Sequence, residues 1–99
     1  MVKKFDVVLC DIVGNELPAV VVSPDEMNQA LPYVMVAPLT AAERAFPTRL
    51  GIRFRGKKGQ IALDMIQTIC KRDIAGRAGQ LPPPVHAQIN QILKKMFGD

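Results

Sequence analysis

The fold of this chain turns on Arg49-Leu50-Gly51-Ile52-Arg53-Phe54-Arg55-Gly56-Lys57-Lys58-Gly59-Gln60-Ile61-Ala62-Leu63-Asp64-Met65. Leu50, Ile52 and Phe54 alternate with Arg49, Arg53 and Arg55, the period of two that gives a strand one apolar and one charged face. Gly56-Lys57-Lys58-Gly59 has turn chemistry, so a basic-tipped hairpin with its second strand at 60–65 is predicted. From Arg44 to Lys58 the chain carries six basic residues and no acid, a local field that attracts a polyanion. Nucleic acid is the partner class this suggests; on charge alone an ordinary solvated strand and turn is the alternative.

Outward from the hairpin, the apolar run continues past the length of one strand, so a bend and a further strand at 66–71 are predicted, then a connecting loop at 72–80 holding Gly76 and Gly79. Pro82-Pro83-Pro84 leads into residues 85–97, where Val85, Ile89, Ile92, Leu93 and Met96 recur at helical spacing. Lys94 and Lys95 suit the negative end of that helix, and Gly98 its stop. On the other side, Thr40 is placed to cap a short helical piece at 41–45 ended by Phe46-Pro47. Residues 31–39 read as a strand. Ser23-Pro24-Asp25-Glu26 reads as an N-cap serine with proline at the first helical position, opening a turn of helix over 23–29. Residues 17–22 and 5–12 read as strands around a Gly14-Asn15-Glu16 turn, the first of them apolar on both pleat faces and so interior. Five or six short strands ending in one helix make a mainly β (α+β) domain, a bent antiparallel sheet or barrel with a helix over its open face.

Ninety-nine residues fit a single domain spanning 1–99, and 48% hydrophobic against 22% charged residues is enough to fold. No apolar run approaches the roughly 18 residues of a membrane span, and an acid interrupts the N-terminus before a signal-peptide core forms, so a soluble cytoplasmic protein is expected. Cys10 and Cys70 read as reduced thiols. Residues 1–40 hold two lysines against five acids (net −3), and residues 41–99 eleven basic residues against four acids (net +7). No metal site, phosphate loop, nucleophile elbow or paired-cysteine motif is visible, so no metal or cofactor is expected. His86, the lone histidine, reads as a boundary residue. RNA carries its own nucleophile in the 2′-hydroxyl, so a ribonuclease needs only a base, an acid and cations, which carboxylates, hydroxyls and arginines supply.

Phe5-Asp6-Val7-Val8, then Leu17-Pro18-Ala19-Val20-Val21-Val22-Ser23-Pro24-Asp25 with Asn28, Val36-Ala37-Pro38-Leu39-Thr40, Phe46-Pro47, Ile61-Ala62-Leu63-Asp64 with Thr68-Ile69, and Gly79-Gln80-Leu81-Pro82 stand in an order and spacing that resembles the MazF/PemK/Kid toxins. The resemblance covers nearly the whole chain. It implies a dimeric SH3-like barrel, a bacterial type II toxin–antitoxin pair, and metal-independent endoribonuclease activity on single-stranded messenger RNA. It also implies that the basic groove receives the acidic tail of an antitoxin.

By this resemblance Asp64 stands at the family's strand acid and is the expected base, Thr40 is the hydroxyl that orients the phosphate, and Glu16 is the acid of a G-x-E loop. Arg49, Arg53, Arg55, Lys57, Lys58, Asn15 and Gln67 are the expected RNA-binding residues. The residues alone leave other roles open: Asp64 as a turn cap or ion-pair partner, Thr40 as a helix cap, Glu16 as a solvated turn residue. Leu17, Ala62 and Gln67 stand where the family places arginines, Asn15 where some members have histidine, and the first loop is short. Arg49 or Arg53 can replace a missing arginine only if its strand lies beside Asp64. The chain is also similar to the related gyrase poison CcdB in its short first loop and in Lys95-Met96-Phe97-Gly98, without the tryptophan of that branch's tail. A non-enzymatic toxin acting on DNA gyrase is therefore the alternative.

Overall fold

The computed structural model describes residues 2–12, 14–41 and 45–98. Seven strands form one curled antiparallel sheet: β1 (Asp6–Ile12), β2 (Asn15–Val21), β3 (Tyr33–Thr40), β4 (Arg49–Phe54), β5 (Lys57–Ala62), β6 (Gln67–Cys70) and β7 (Ile74–Gln80). Helix α1 (Asp25–Ala30) joins β2 to β3, and α2 (Pro83–Phe97) closes the chain. The strand order is β4-β5-β3-β2-β1-β7, with β6 also paired to β3. The eight residues of β3 serve two partners on one side: Tyr33 to Val36 pair with β6, while Leu39 and Thr40 face Ile61 and Gln60 of β5. Between β5 and β6 a 3₁₀ turn, Leu63–Met65, makes the bend that the over-long apolar run required.

The interior position read for the first strand holds. Val7, Val20, Val22, Ala37, Ile61, Leu63 and Leu81 form one core against Ile89 of α2. On the opposite face Val8, Cys10, Ala19, Val21, Val34 and Val36 form a second, flanked by Leu17, Ile69 and Ile74. Cys10 and Cys70 are free thiols, and burial pushes the Cys10 thiol up from its ordinary pKa.

Several boundaries differ from the sequence reading. The segment 72–80 is not a loop throughout, because Ile74–Gln80 is β7, paired to β1 with two irregularities of register. Its glycines and exposed arginine carry no strand signal of their own; β1, apolar on both faces, supplies the edge it pairs with. The hairpin turn is Arg55-Gly56, and Lys57 and Lys58 already lie in β5 opposite Phe54 and Arg53. Arg55 (φ +51°) and Gly56 (φ +80°) are both left-handed, as a two-residue type I′ turn demands. Asp64 sits in the 3₁₀ turn rather than on a strand. Helix α2 begins two residues before Val85, since proline is tolerated in a first helical turn. Gly98 ends it in a right-handed conformation, and a Cβ there would collide with the Lys94 carbonyl.

Pro24, not Ser23, stands at the N-cap of α1. The Ser23 hydroxyl donates instead to Asn28 Oδ1 and accepts the Met35 N–H at 3.1 Å, while Asn28 Nδ2 donates to the Ser23 carbonyl at 3.0 Å. Asp25 accepts the Lys4 N–H at 2.8 Å. Ser23 and Asn28 thus form a buried brace between β2, α1 and β3, with Pro24 and Asp25 exposed at its edge. The helical piece proposed at 41–45 falls on 42–44, outside the described residues; Thr40 itself is the last residue of β3. His86 is a packing residue, its ring stacked on Phe5 at 3.9 Å and its Nε2 2.6 Å from the Leu81 carbonyl oxygen. No helix among the described residues is long and apolar enough to cross a membrane.

Candidate nucleic-acid interface

Pairing of β4 with β5 decides which side chains share a face. Arg49 lies opposite Ala62, Gly51 opposite Gln60 and Arg53 opposite Lys58, and Gln60 in turn lies opposite Thr40 of β3. Cross-strand partners point to the same side of a sheet. Arg49, Arg53, Lys58, Gln60 and Thr40 therefore share one face, while Leu50, Ile52 and Phe54 turn to the core side. Arg53 directly opposite Lys58 is a like-charge pair that costs folding energy. Such a pair suits a surface that receives an anion. A shallow depression of about 340 Å³ runs between Gly51, Arg53, Lys58 and Gly59.

Thr40 borders a second cleft of about 200 Å³, walled by Pro18, Leu39, Phe54, Lys57 and Lys58. Among the described residues its Oγ1 is buried and has no hydrogen-bond partner. A buried hydroxyl left unpaired costs stability, and this one borders the cleft.

The 3₁₀ turn places Asp64 at the open end of the β4–β5 hairpin, beside Arg49 and four residues of β4, or about 13 Å, from Arg53. Arg49 grips it with both arms of its guanidinium, Nε to Oδ1 at 2.6 Å and Nη2 to Oδ2 at 3.0 Å, and Thr48 Oγ1 donates to Oδ1 at 3.1 Å. The Arg49 hydrogen bond is the chief cause that holds the Asp64 carboxyl down at about 2. The arginine absent at position 62 is thus matched by one on the neighbouring strand, since Arg49 stands across from the fully buried Ala62. Leu17 packs into the second core instead of facing this site.

The remaining candidates lie in different places. Arg55 leaves the charged face: its Nη2 donates to the Ala78 carbonyl at 2.5 Å and its guanidinium lies over the Phe54 ring. Glu16 and Asn15 are exposed at the start of β2, with Glu16 opposite Asp11 and two residues before the Pro18 that walls the Thr40 cleft. Gln67 opens β6 opposite Val36, four residues back along β3 from Thr40, or about 13 Å at the usual rise of a strand. Sequence reading missed Thr48 as a partner of Asp64, together with the exposed Phe46 and Met65 that flank Arg49. The one available signal was Pro47, which marks a turn that folds Phe46 back toward Arg49. No three His, Cys, Asp or Glu side chains are grouped to hold a metal among the described residues.

A curled antiparallel sheet closed by a C-terminal helix, with Arg53 and Lys58 paired on one face of its β4–β5 hairpin, defines a small half-barrel of the mainly β class. The chain belongs to the PemK-like, MazF-like toxins of type II toxin–antitoxin systems, whose family pattern it matches over residues 3–97. No curated protein sequence matches it. Among solved structures it is similar to an endoribonuclease in complex with its cognate antitoxin from a Mycobacterial species, with a TM-score of 0.89, 24% identity, and 99% of this chain and 96% of that chain covered. It is similar to the Mycobacterium tuberculosis toxin MazF-mt6, with a TM-score of 0.83, 18% identity, and coverage of 94% and 96%. A MazE–MazF complex from Deinococcus radiodurans gives a TM-score of 0.82 at 20% identity, covering 98% and 95%. At these identities the likeness shows the fold.

Proposed function

We propose that this chain is the toxin of a type II toxin–antitoxin pair and an endoribonuclease that cleaves single-stranded messenger RNA without a metal. It works in the cytoplasm as a homodimer restrained by an antitoxin whose acidic tail occupies the basic face. The observation that carries the reading is the cross-strand pair Arg53 and Lys58 beside the unpartnered Thr40 hydroxyl: cations and a spare donor together fit a phosphodiester. Lys57, at the rim of the Thr40 cleft, adds to the same field.

The chemistry follows from those groups. The RNA 2′-hydroxyl gives its proton to Asp64 and attacks the adjacent phosphorus; the 2′-O–P bond forms, the P–O5′ bond breaks and the departing O5′ takes a proton from water, leaving a cyclic phosphate and a 5′-hydroxyl end. Thr40 orients the phosphate, and Arg53 with Lys58 stabilises the added charge in the transition state. Asp64 is the base. Its two-point pair with Arg49 fixes the direction of the carboxylate and holds its pKa down. Glu16, Asn15 and Gln67 line the outer path of the strand.

Incubation of the purified protein with a long single-stranded RNA in EDTA, with Asp64→Ala alongside, tests the reading. Defined cuts bearing 5′-hydroxyl ends and lost in the variant are expected. RNA left intact by the wild-type protein overturns it and turns attention to a protein target such as DNA gyrase.

A further inference from the structure

We propose that Phe46 is a platform on which one base of a single-stranded RNA stacks, set beside the cations that take the phosphates and separate from them. This rests on the endoribonuclease reading above.

The chain holds only four phenylalanines, one tyrosine and no tryptophan, and Phe46 leaves 45% of its surface exposed. Its backbone is held in a turn. The Arg49 N–H donates to the Phe46 carbonyl at 3.0 Å, closing a turn with Pro47 at its second position, where the fixed φ of proline is favoured. That turn is tied down twice more, by the Leu63 N–H to the Thr48 carbonyl at 3.0 Å and by Thr48 Oγ1 to Asp64. An apolar ring held in water by a rigid turn loses little freedom when something flat covers it.

What covers it is indicated by charge. The Arg49 guanidinium lies 5.7 Å from the Phe46 centroid, and its positive charge is matched by the two-point pair with Asp64. Met65, 43% exposed, brings its sulfur within 3.7 Å of Arg49 Nη2. Phe46, Arg49 and Met65 thus make a charge-balanced surface with an aromatic face. Arg53, four residues along the same face, begins the uncompensated cationic ridge with Lys58. Single-stranded nucleic acid presents the complementary pair of surfaces, flat bases and anionic phosphates, and proteins bind it by aromatic stacking beside a basic groove. An acidic peptide would match the ridge but has no regular flat group to set on the ring.

The absence of tryptophan makes Phe46→Trp a unique fluorescent reporter. The probe is a mixed-sequence single-stranded DNA oligonucleotide, which lacks the 2′-hydroxyl and stays intact, compared with an abasic strand of the same length. Quenching of the introduced indole's emission is expected with the base-bearing strand and not with the abasic one. Phe46→Ala is expected to weaken binding of the base-bearing strand about ten-fold, as for loss of one stacked base. Its affinity for the abasic strand and the slope of log K against log salt stay as in wild type. Equal affinities of Phe46→Ala and wild type for the base-bearing strand, equal losses on both strands, or an altered oligomeric state of Phe46→Ala on gel filtration overturn the platform while leaving the RNA reading in place. A wild-type protein that binds neither strand removes both.

Discussion

At the scale of single residues, Thr40 and Asp64 show opposite relations between stability and function. The Thr40 hydroxyl is buried without a partner, so Thr40→Val, which keeps the shape and removes the polar atom, is expected to hold stability or raise it by up to about 1 kcal/mol. RNA cleavage should fall at least ten-fold in the same variant, and urea unfolding beside a cleavage assay reads the two effects separately. Asp64 is fully partnered, and its carboxyl sits at about 2, below the roughly 3.9 of an unfolded chain. A depressed folded pKa contributes stability that is complete above the unfolded value and lost as pH falls from about 4 toward 2. The side chain is 38% exposed, so solvent screening keeps the contribution under about 1 kcal/mol. Asp64→Asn should flatten this part of the acid-unfolding curve, which urea midpoints at pH 5 down to pH 2 will show.

The hairpin of β4 and β5 is the element on which the proposed RNA contacts lie, and its tip sets its shape. Gly56 at φ +80° is the second of two left-handed residues, so Gly56→Ala should cost about 1 kcal/mol, read as a shifted urea midpoint. Much of this element was legible in the sequence, because alternation of Leu50, Ile52 and Phe54 with arginines fixes which face is apolar whatever the partners. The turn was misplaced by two residues, since glycines at 56 and 59 bracket the lysines and only the pairing of Phe54 with Lys57 shows which glycine turns. β7 was illegible for a different reason: Gly76 and Gly79 bring no side chain to mark a strand, and that strand exists because β1 offers an edge. The same limit applies to the site. Asp64 and Arg49 could each be named from sequence as candidates, but their two-point contact depends on Arg49 lying opposite Ala62, a register that no local pattern encodes. Phe46 escaped notice because an aromatic before a proline reads as the end of an element.

Over the whole molecule the charge asymmetry of the sequence becomes a geometrical one. Arg49, Arg53 and Lys58 of the later half share the β4–β5 face, but the cations of the hairpin do unequal work. Arg53 and Lys58 face each other in the open, whereas Arg55 is engaged at Ala78. Binding of a single-stranded oligonucleotide should therefore weaken steeply with salt, and Arg53→Ala should reduce the slope of log K against log salt by about 0.7. Arg55→Ala should leave that slope nearly unchanged and lower the unfolding midpoint instead. Salt titrations of the two variants separate these outcomes, and equal slopes for both would count against the division of labour.

The contact of Arg55 with Ala78 has a consequence for motion. β4 and β7 end the strand order and are not paired to each other, yet the Arg55 guanidinium reaches the β7 carbonyl and the Phe54 ring lies against Gly79. The barrel is thus zipped along that line by two side chains rather than by a ladder of backbone bonds. A seam of this kind parts at less cost than a paired strand. Amide protons along β4 and β7 should trade with deuterated solvent well before those of β1 and β2. The molecule would then breathe along one line, with the β4–β5 hairpin as the moving leaf and the doubly covered β1 as the spine.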